Sequence, residues 1–130
     1  RSTLFPYTTL FRSGSAGVPR RTRMLGPLFE SLVVQSVQVY ASLCDAAVHH
    51  LRTKRGEHEV DLIVENRDRR VVAIEVKAAA APRPGDTRHL LWLRERLGER
   101  LADAVVVTTG RHAYRDEDDV AVVPAALLGP

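Results

Sequence analysis

His58-Glu-Val-Asp-Leu-Ile-Val-Glu65 and Arg70-Val-Val-Ala-Ile-Glu-Val-Lys77 are two alternating, apolar-rich runs joined by the polar Asn66-Arg-Asp-Arg69. Successive strand side chains point to opposite faces. The first run therefore places Val60, Leu62 and Val64 on one face and Glu59, Asp61 and Ile63 on the other. The second places Val72, Ile74 and Val76 on one face and Val71, Ala73, Glu75 and Lys77 on the other. So short a polar connection predicts an antiparallel hairpin. Asp61 then lies opposite Glu75 or one position off, with Lys77 on the same face. The other face is aliphatic and is assigned to the core.

Acids are unfavourable in mid-strand, so Asp61 and Glu75 need an explanation. A plain one is a solvated strand face or sheet edge. A chemical one is a site for Mg²⁺, or Mn²⁺ in its place. Such an ion takes oxygen ligands and keeps several waters, so two carboxylates and a main-chain carbonyl suffice to hold it. A neighbouring lysine can orient a water and offset transition-state charge. Only two of the nineteen basic residues are lysines, Lys54 and Lys77. Arginine is thus the ordinary cation of this chain, and Lys77 departs from the pattern at the position where a compact ammonium matters.

Outward from the hairpin, Leu28, Phe29, Leu32, Val33, Val37, Tyr40, Ala41 and Cys44 recur at three- and four-residue steps. This spacing predicts an amphipathic helix from Pro27 to about Cys44, with the proline in its first turn. Ala47 to Thr53 reads as a short strand and Lys54-Arg-Gly-Glu57 as a turn. An alanine- and proline-rich bridge, Ala78 to Gly85, leads to a second helix striped by Leu90, Leu93, Leu97 and Leu101. Asp103 to Thr109 is a β-branched strand ended by Gly110. After a polar loop, Val120 to Val123 is a last strand, and Pro124 to Leu128 a terminal helical turn. The order is α-β-β-β-α-β-β, an α/β domain with a mixed sheet flanked by helices.

A chain of 130 residues fits one domain. The formal charge of +3 is unevenly placed: Arg1, Arg12, Arg20, Arg21 and Arg23 precede Met24, and no acid does. The remainder carries 19 − 5 = 14 basic residues against 16 acidic ones, a net of −2, so global charge is no argument for nucleic acid. One cysteine excludes an internal disulfide, no run is long and apolar enough for a membrane helix, and no secretory signal is seen. A cytoplasmic location is the expectation. The stretch Ser2 to Ser13, STLFPYTTLFRS, resembles the translation of a sequencing adapter, and GSAGVPRRTR after it reads as a flexible basic linker. Residues 1–23 are therefore expected to be disordered and outside the domain of residues 24–130. The domain would then be the C-terminal part of a longer protein.

The remaining polar residues point elsewhere. His49, His50, His58, His89 and His112 have no zinc-ligand spacing with Cys44. Cys44 falls on the helix's apolar stripe and is assigned to packing, as is Trp92. Asp116 to Asp119 reads as a solvated loop, and the absence of GxxxxGK[ST] excludes a P-loop ATP site from this chain.

Glu30, EVD at 59–61 and EVK at 75–77, set between two helices, resemble the PD-(D/E)XK nuclease-like superfamily. More closely, LGPLFESLVV, EVDLIVE, AIEVK, LWLRERLGERLADAVVVTTG and VAVVPAALL are similar to the C-terminal domain of bacterial and archaeal AAA-type ATP-binding proteins, over Met24 to Pro130. The resemblance implies that Asp61 and Glu75 are the metal-binding acids and Lys77 the catalytic lysine. It further implies that Val76 supplies a main-chain carbonyl ligand, and that Glu30 is the helix acid that touches a second metal in some members. Arg52 is a candidate phosphate contact. Val60 stands where the motif's name has proline. The function implied is Mg²⁺-dependent hydrolysis of DNA phosphodiesters. The alternative is a nuclease fold that no longer cuts and serves an AAA-type ATPase region as a DNA-binding or regulatory module.

Overall fold

The computed structural model describes residues 2–6 and 20–129 of the chain. Strand β1 (Ser2–Pro6) precedes helix α1 (Arg20–Leu43) and strands β2 (Ala47–Thr53), β3 (Glu59–Glu65) and β4 (Val71–Lys77). Helix α2 (Arg88–Leu97) and a 3₁₀ turn lead to β5 (Leu101–Thr108), β6 (Tyr114–Arg115) and β7 (Ala121–Pro124). All strands join one mixed sheet in the order β1-β2-β3-β4-β5-β7-β6. It is antiparallel from β1 to β4 and parallel through β4, β5 and β7. The domain is therefore mixed α/β, and α2 forms the crossover that a parallel β4–β5 pair requires.

Each face of the sheet carries one helix and one core. Val71 and Ala73 of β4 and Ala104 and Val106 of β5 pack with Leu90 and Leu93 of α2. The intervening Ile74 and Val107 pack with Val33, Val34 and Val37 of α1. The face that carries Glu75 is thus as buried as the aliphatic one, which corrects the expectation of a single core face. A strand covered on both sides reads as a near-continuous hydrophobic run, and the VVAIEV of β4 has that character.

The β3–β4 hairpin forms as expected. Asn66 closes it by accepting Arg69 N–H at its carbonyl (3.0 Å) and Arg70 N–H at its side chain (2.9 Å), with Arg69 at φ 63°. Strand β3, however, is not regular. Leu51 pairs with Val60 and His49 with Ile63, so Asp61 and Leu62 together oppose His50. This is a β-bulge, an extra residue that reverses the side-chain alternation. Val60 consequently joins the α2-side core and Leu62 the α1-side core, rather than sharing a face.

Other expectations shift at element ends. Ser2–Pro6, set aside above as adapter-like, pairs antiparallel with β2. The outer edge of β2 offers unpaired N–H and C=O groups to any extended segment, and this one satisfies them. Helix α1 begins at Arg20, seven residues before the expected start, and carries Pro27 inside. The adapter-like reading of residues 7–13 and the linker reading of 14–19 lie outside the described residues, whereas residues 20–23 of that linker are helical. Cys44 is exposed, not core, because α1 ends at Leu43 and Asp45 turns the chain at φ 53°. Leu101 opens β5 instead of closing α2, since Gly98 at φ 53° ends the helix first. The loop expected before the last strand contains β6, and Asp116 within it accepts the N–H groups of Asp118 and Val120. No described helix is long and apolar enough to cross a membrane.

Candidate functional site

The bulge in β3 places Asp61 where the β3–β4 ladder ends. Leu62 is the last β3 residue to pair, opposite Ile74, and continuing that register sets Asp61 across from Glu75. Instead of a ladder carbonyl, the Asp61 carboxylate accepts the Val76 N–H at 2.8 Å. On a strand the N–H and C=O of one residue turn to the same side, so the Val76 carbonyl also faces the Asp61 side. On β2, His50 lies opposite the bulge, with Nδ1 3.2 Å from the Asp61 carbonyl oxygen and Nε2 3.0 Å from Glu59.

Glu75 is only 4 % exposed and touches Asp61 through a side-chain hydrogen bond. Burial pushes its carboxyl up to about 9, and the neighbouring Asp61 charge adds to the shift. Lys77, with Nζ 3.6 Å from a Glu75 oxygen, opposes it. Burial also raises Asp61, and the charge of Glu30 on α1 raises it further. The Val76 N–H, the Glu75 hydrogen bond and Lys77 work the other way. The two carboxyls therefore retain a proton between them at neutral pH, because two charges cannot share so dry a place. The bonding assigns that proton to Glu75, which donates to Asp61.

Asp61, Glu75, Val76, Lys77 and Glu30 are thus gathered at one end of the β3–β4 pair. Arg52 is not among them: it is exposed, with its guanidinium against the Gly56 turn. Asp86, the only acid between Glu75 and Glu95, stands just past the bridge and was not among the expected site residues. It lies 4.0 Å from Lys77 Nζ and accepts the Arg83 N–H at 2.7 Å. Its signal was position, an acid just before a helix. The chain after Lys77 is held by Thr109, whose N–H reaches the Ala79 carbonyl (3.0 Å). Gly110 follows because a Cβ there would collide with the Ala80 carbonyl.

Two histidines missed by spacing lie beside this end of the sheet. His58 and His89 approach through their Nδ1 atoms at 3.2 Å, and Arg88 Nε–H donates to His89 Nε2 at 3.1 Å. That bonding makes His89 the Nδ1–H donor and His58 the acceptor. Burial lowers the pKa of His89, as do the Arg88, His58 and Lys77 charges beside it. His58 also stacks on Trp92, with centroids 4.1 Å apart, so Trp92 sits at the core edge as its helix position implied.

Among the described residues, no group of three or more His, Cys, Asp or Glu is arranged to hold a metal ion. The donor set here is smaller: two touching carboxylates and one carbonyl, with Glu30 acting on Asp61 through its charge. All are oxygens, the donor type that Mg²⁺ and Mn²⁺ take, and the retained proton marks a place that accommodates positive charge. The residues fit such an ion. A family model described as a domain of unknown function, DUF4143, matches residues 25–128. No curated protein matches the chain.

Proposed function

We propose, for a chain that belongs to the DUF4143 family of domains of unknown function, a nuclease-like role: metal-dependent hydrolysis of a phosphodiester, with DNA as substrate. One observation carries the proposal. Buried Glu75 meets Asp61 at a bulge, with the Lys77 ammonium 3.6 Å away. Bulges recur where a strand must re-aim a side chain beside an active site, and this one turns Asp61 into the gap between strands. Burying Glu75 against a second, partly buried acid is costly for a structure that gains nothing from the pair.

Asp61, Glu75 and the Val76 carbonyl would hold the ion. Mg²⁺ or Mn²⁺ in this place supplies charge stabilisation to the phosphoryl oxygens and acidifies a water. The protein's own part is to keep the site dry with Val60 and Ala73, and to hold Asp61 through the Val76 N–H. It also sets the Lys77 ammonium beside the carboxylates, positioned to orient the attacking water. The PD-(D/E)XK likeness of EVD and EVK supports the same assignment, with Glu30, whose charge acts on Asp61, as an outer acid.

A second reading, a non-cutting module that docks on an AAA-type ATPase region, draws on α1. Leu25, Leu28, Leu32, Val39 and Leu43 are each about half exposed or more on that helix. A row of this kind suits a protein contact.

Incubation of labelled DNA with the chain and Mg²⁺ or Mn²⁺ separates the two. The nuclease reading expects cleavage that stops in EDTA and in Asp61→Asn. Absence of cleavage across single-stranded, duplex and branched DNA, or cleavage that survives Asp61→Asn, would overturn it.

A further inference from the structure

A groove lies between the β2–β3 turn and α2, lined chiefly by Lys54, Arg55, Glu57, His58, Trp92 and Arg96. Three cations thus converge from two elements, the β2–β3 turn and the outer side of α2. Among the described residues none of the three makes an ion pair, whereas Arg67, Arg69, Arg100 and Arg115 each hold an acid. Glu57 is the one acid on the groove wall. The floor is aromatic: Trp92 stacks on the His58 ring, with centroids 4.1 Å apart, and the Arg96 guanidinium lies 5.5 Å from the indole centroid. One indole face is taken by His58, so the groove offers charge before it offers a base-stacking surface.

We propose that this groove binds the phosphates of a nucleic-acid strand and leads it toward the acidic centre. Unpaired cations over an aromatic floor suit a repeating anion, because each phosphate contact releases counterions. The His58–His89 contact ties groove to centre, since His89 feels the Lys77 charge. A groove whose lining excludes the acids of the centre also answers an electrostatic problem. Glu30, Asp61 and Asp86 repel a phosphate backbone, and a separate cationic wall attracts the strand without metal. The inference deepens the hydrolysis reading and rests on it for its purpose, but strand binding itself needs no ion.

The test is fluorescence anisotropy of a labelled single-stranded DNA oligonucleotide with the full chain in EDTA, over a range of salt. Three proteins are compared with wild type. The first is Lys54→Ala/Arg55→Ala/Arg96→Ala. The second is Arg67→Ala/Arg83→Ala/Arg111→Ala, which loses the same charge elsewhere and so corrects for the arginines before Met24. The third is Asp61→Asn. The groove variant is expected to bind about tenfold or more weakly, with a log–log salt slope shallower by about 2 for three lost phosphate contacts on a single strand. The charge-matched control is expected to stay within about twofold of wild type, and Asp61→Asn, which removes a repelling charge, to bind no more weakly than wild type. Equal loss in both triple variants, no loss in either, or equally tight binding of polyglutamate would overturn the proposal. Because no arm contains metal, failure of the metal centre leaves this outcome unaffected.

Discussion

Glutamine in place of Glu75 is expected to stabilise the metal-free protein near pH 8, raising its melting temperature by about 5 °C or more. The same change is expected to weaken divalent-cation binding at least about tenfold. The stability effect follows from the environment of the carboxyl. Burial and the Asp61 charge raise Glu75 to about 9, from about 4.5 in the unfolded chain. The folded protein thus binds a proton that the unfolded chain releases between those values, and stability declines as pH rises across that window. Below about pH 4.5 both states are protonated and the penalty vanishes. Glutamine stays neutral and keeps a donor toward Asp61, so the variant escapes the decline. The gap between the two proteins should therefore open from mildly acidic to alkaline pH, as read by thermal melts in EDTA. Parallel pH curves, or a variant less stable throughout, would show that Glu75 is an ordinary core-edge acid.

Lys77→Ala is expected to slow metal-dependent cleavage by about 10²–10³-fold, the usual cost of removing one group aimed at developing charge. Divalent affinity should change little by comparison, because the lysine ligates nothing. Lys77→Arg tests the chemistry more sharply. A guanidinium restores the positive charge near Glu75 and Asp86, but it is broad, planar and permanently protonated. The arginine variant should remain slow in single-turnover assays. Full rescue by arginine would reduce Lys77 to a counter-charge, and an undiminished rate in the alanine variant would remove it from the reaction.

Much of this arrangement was legible in the chain, and the parts that were not share a cause. Strict alternation through EVDLIVE and VVAIEVK located the hairpin and brought Asp61 to Glu75, because period and turn chemistry are local signals. The bulge at Asp61–Leu62 was invisible. It depends on how β2 pairs with β3, and it moved Val60 to the opposite core from Leu62. Burial of the Glu75 face was hidden for a similar reason. Valine and alanine at 71 and 73 fit a half-exposed strand or a fully covered one, and only the placement of α2 distinguishes them. Cys44 and Leu101 erred at helix ends, where an apolar period continues past the residue that stops the helix, here the positive-φ Asp45 and Gly98. Asp86 and the His58–His89 pair are contacts between distant segments, which no spacing rule encodes. The family match over residues 25–128 agrees with the extent of the resemblance, Met24 to Pro130, and assigns no function.

The claim on which the rest depends is that Asp61 and Glu75 form a site for a hard divalent cation. Calorimetric titration of the chain with Mn²⁺, for wild type and Asp61→Asn in parallel, addresses it most directly. The account predicts saturable binding with proton release in the wild type, since the ion must displace the proton held by the pair, and loss of that binding in Asp61→Asn. Equal heats in both proteins, or no binding in either, would contradict it.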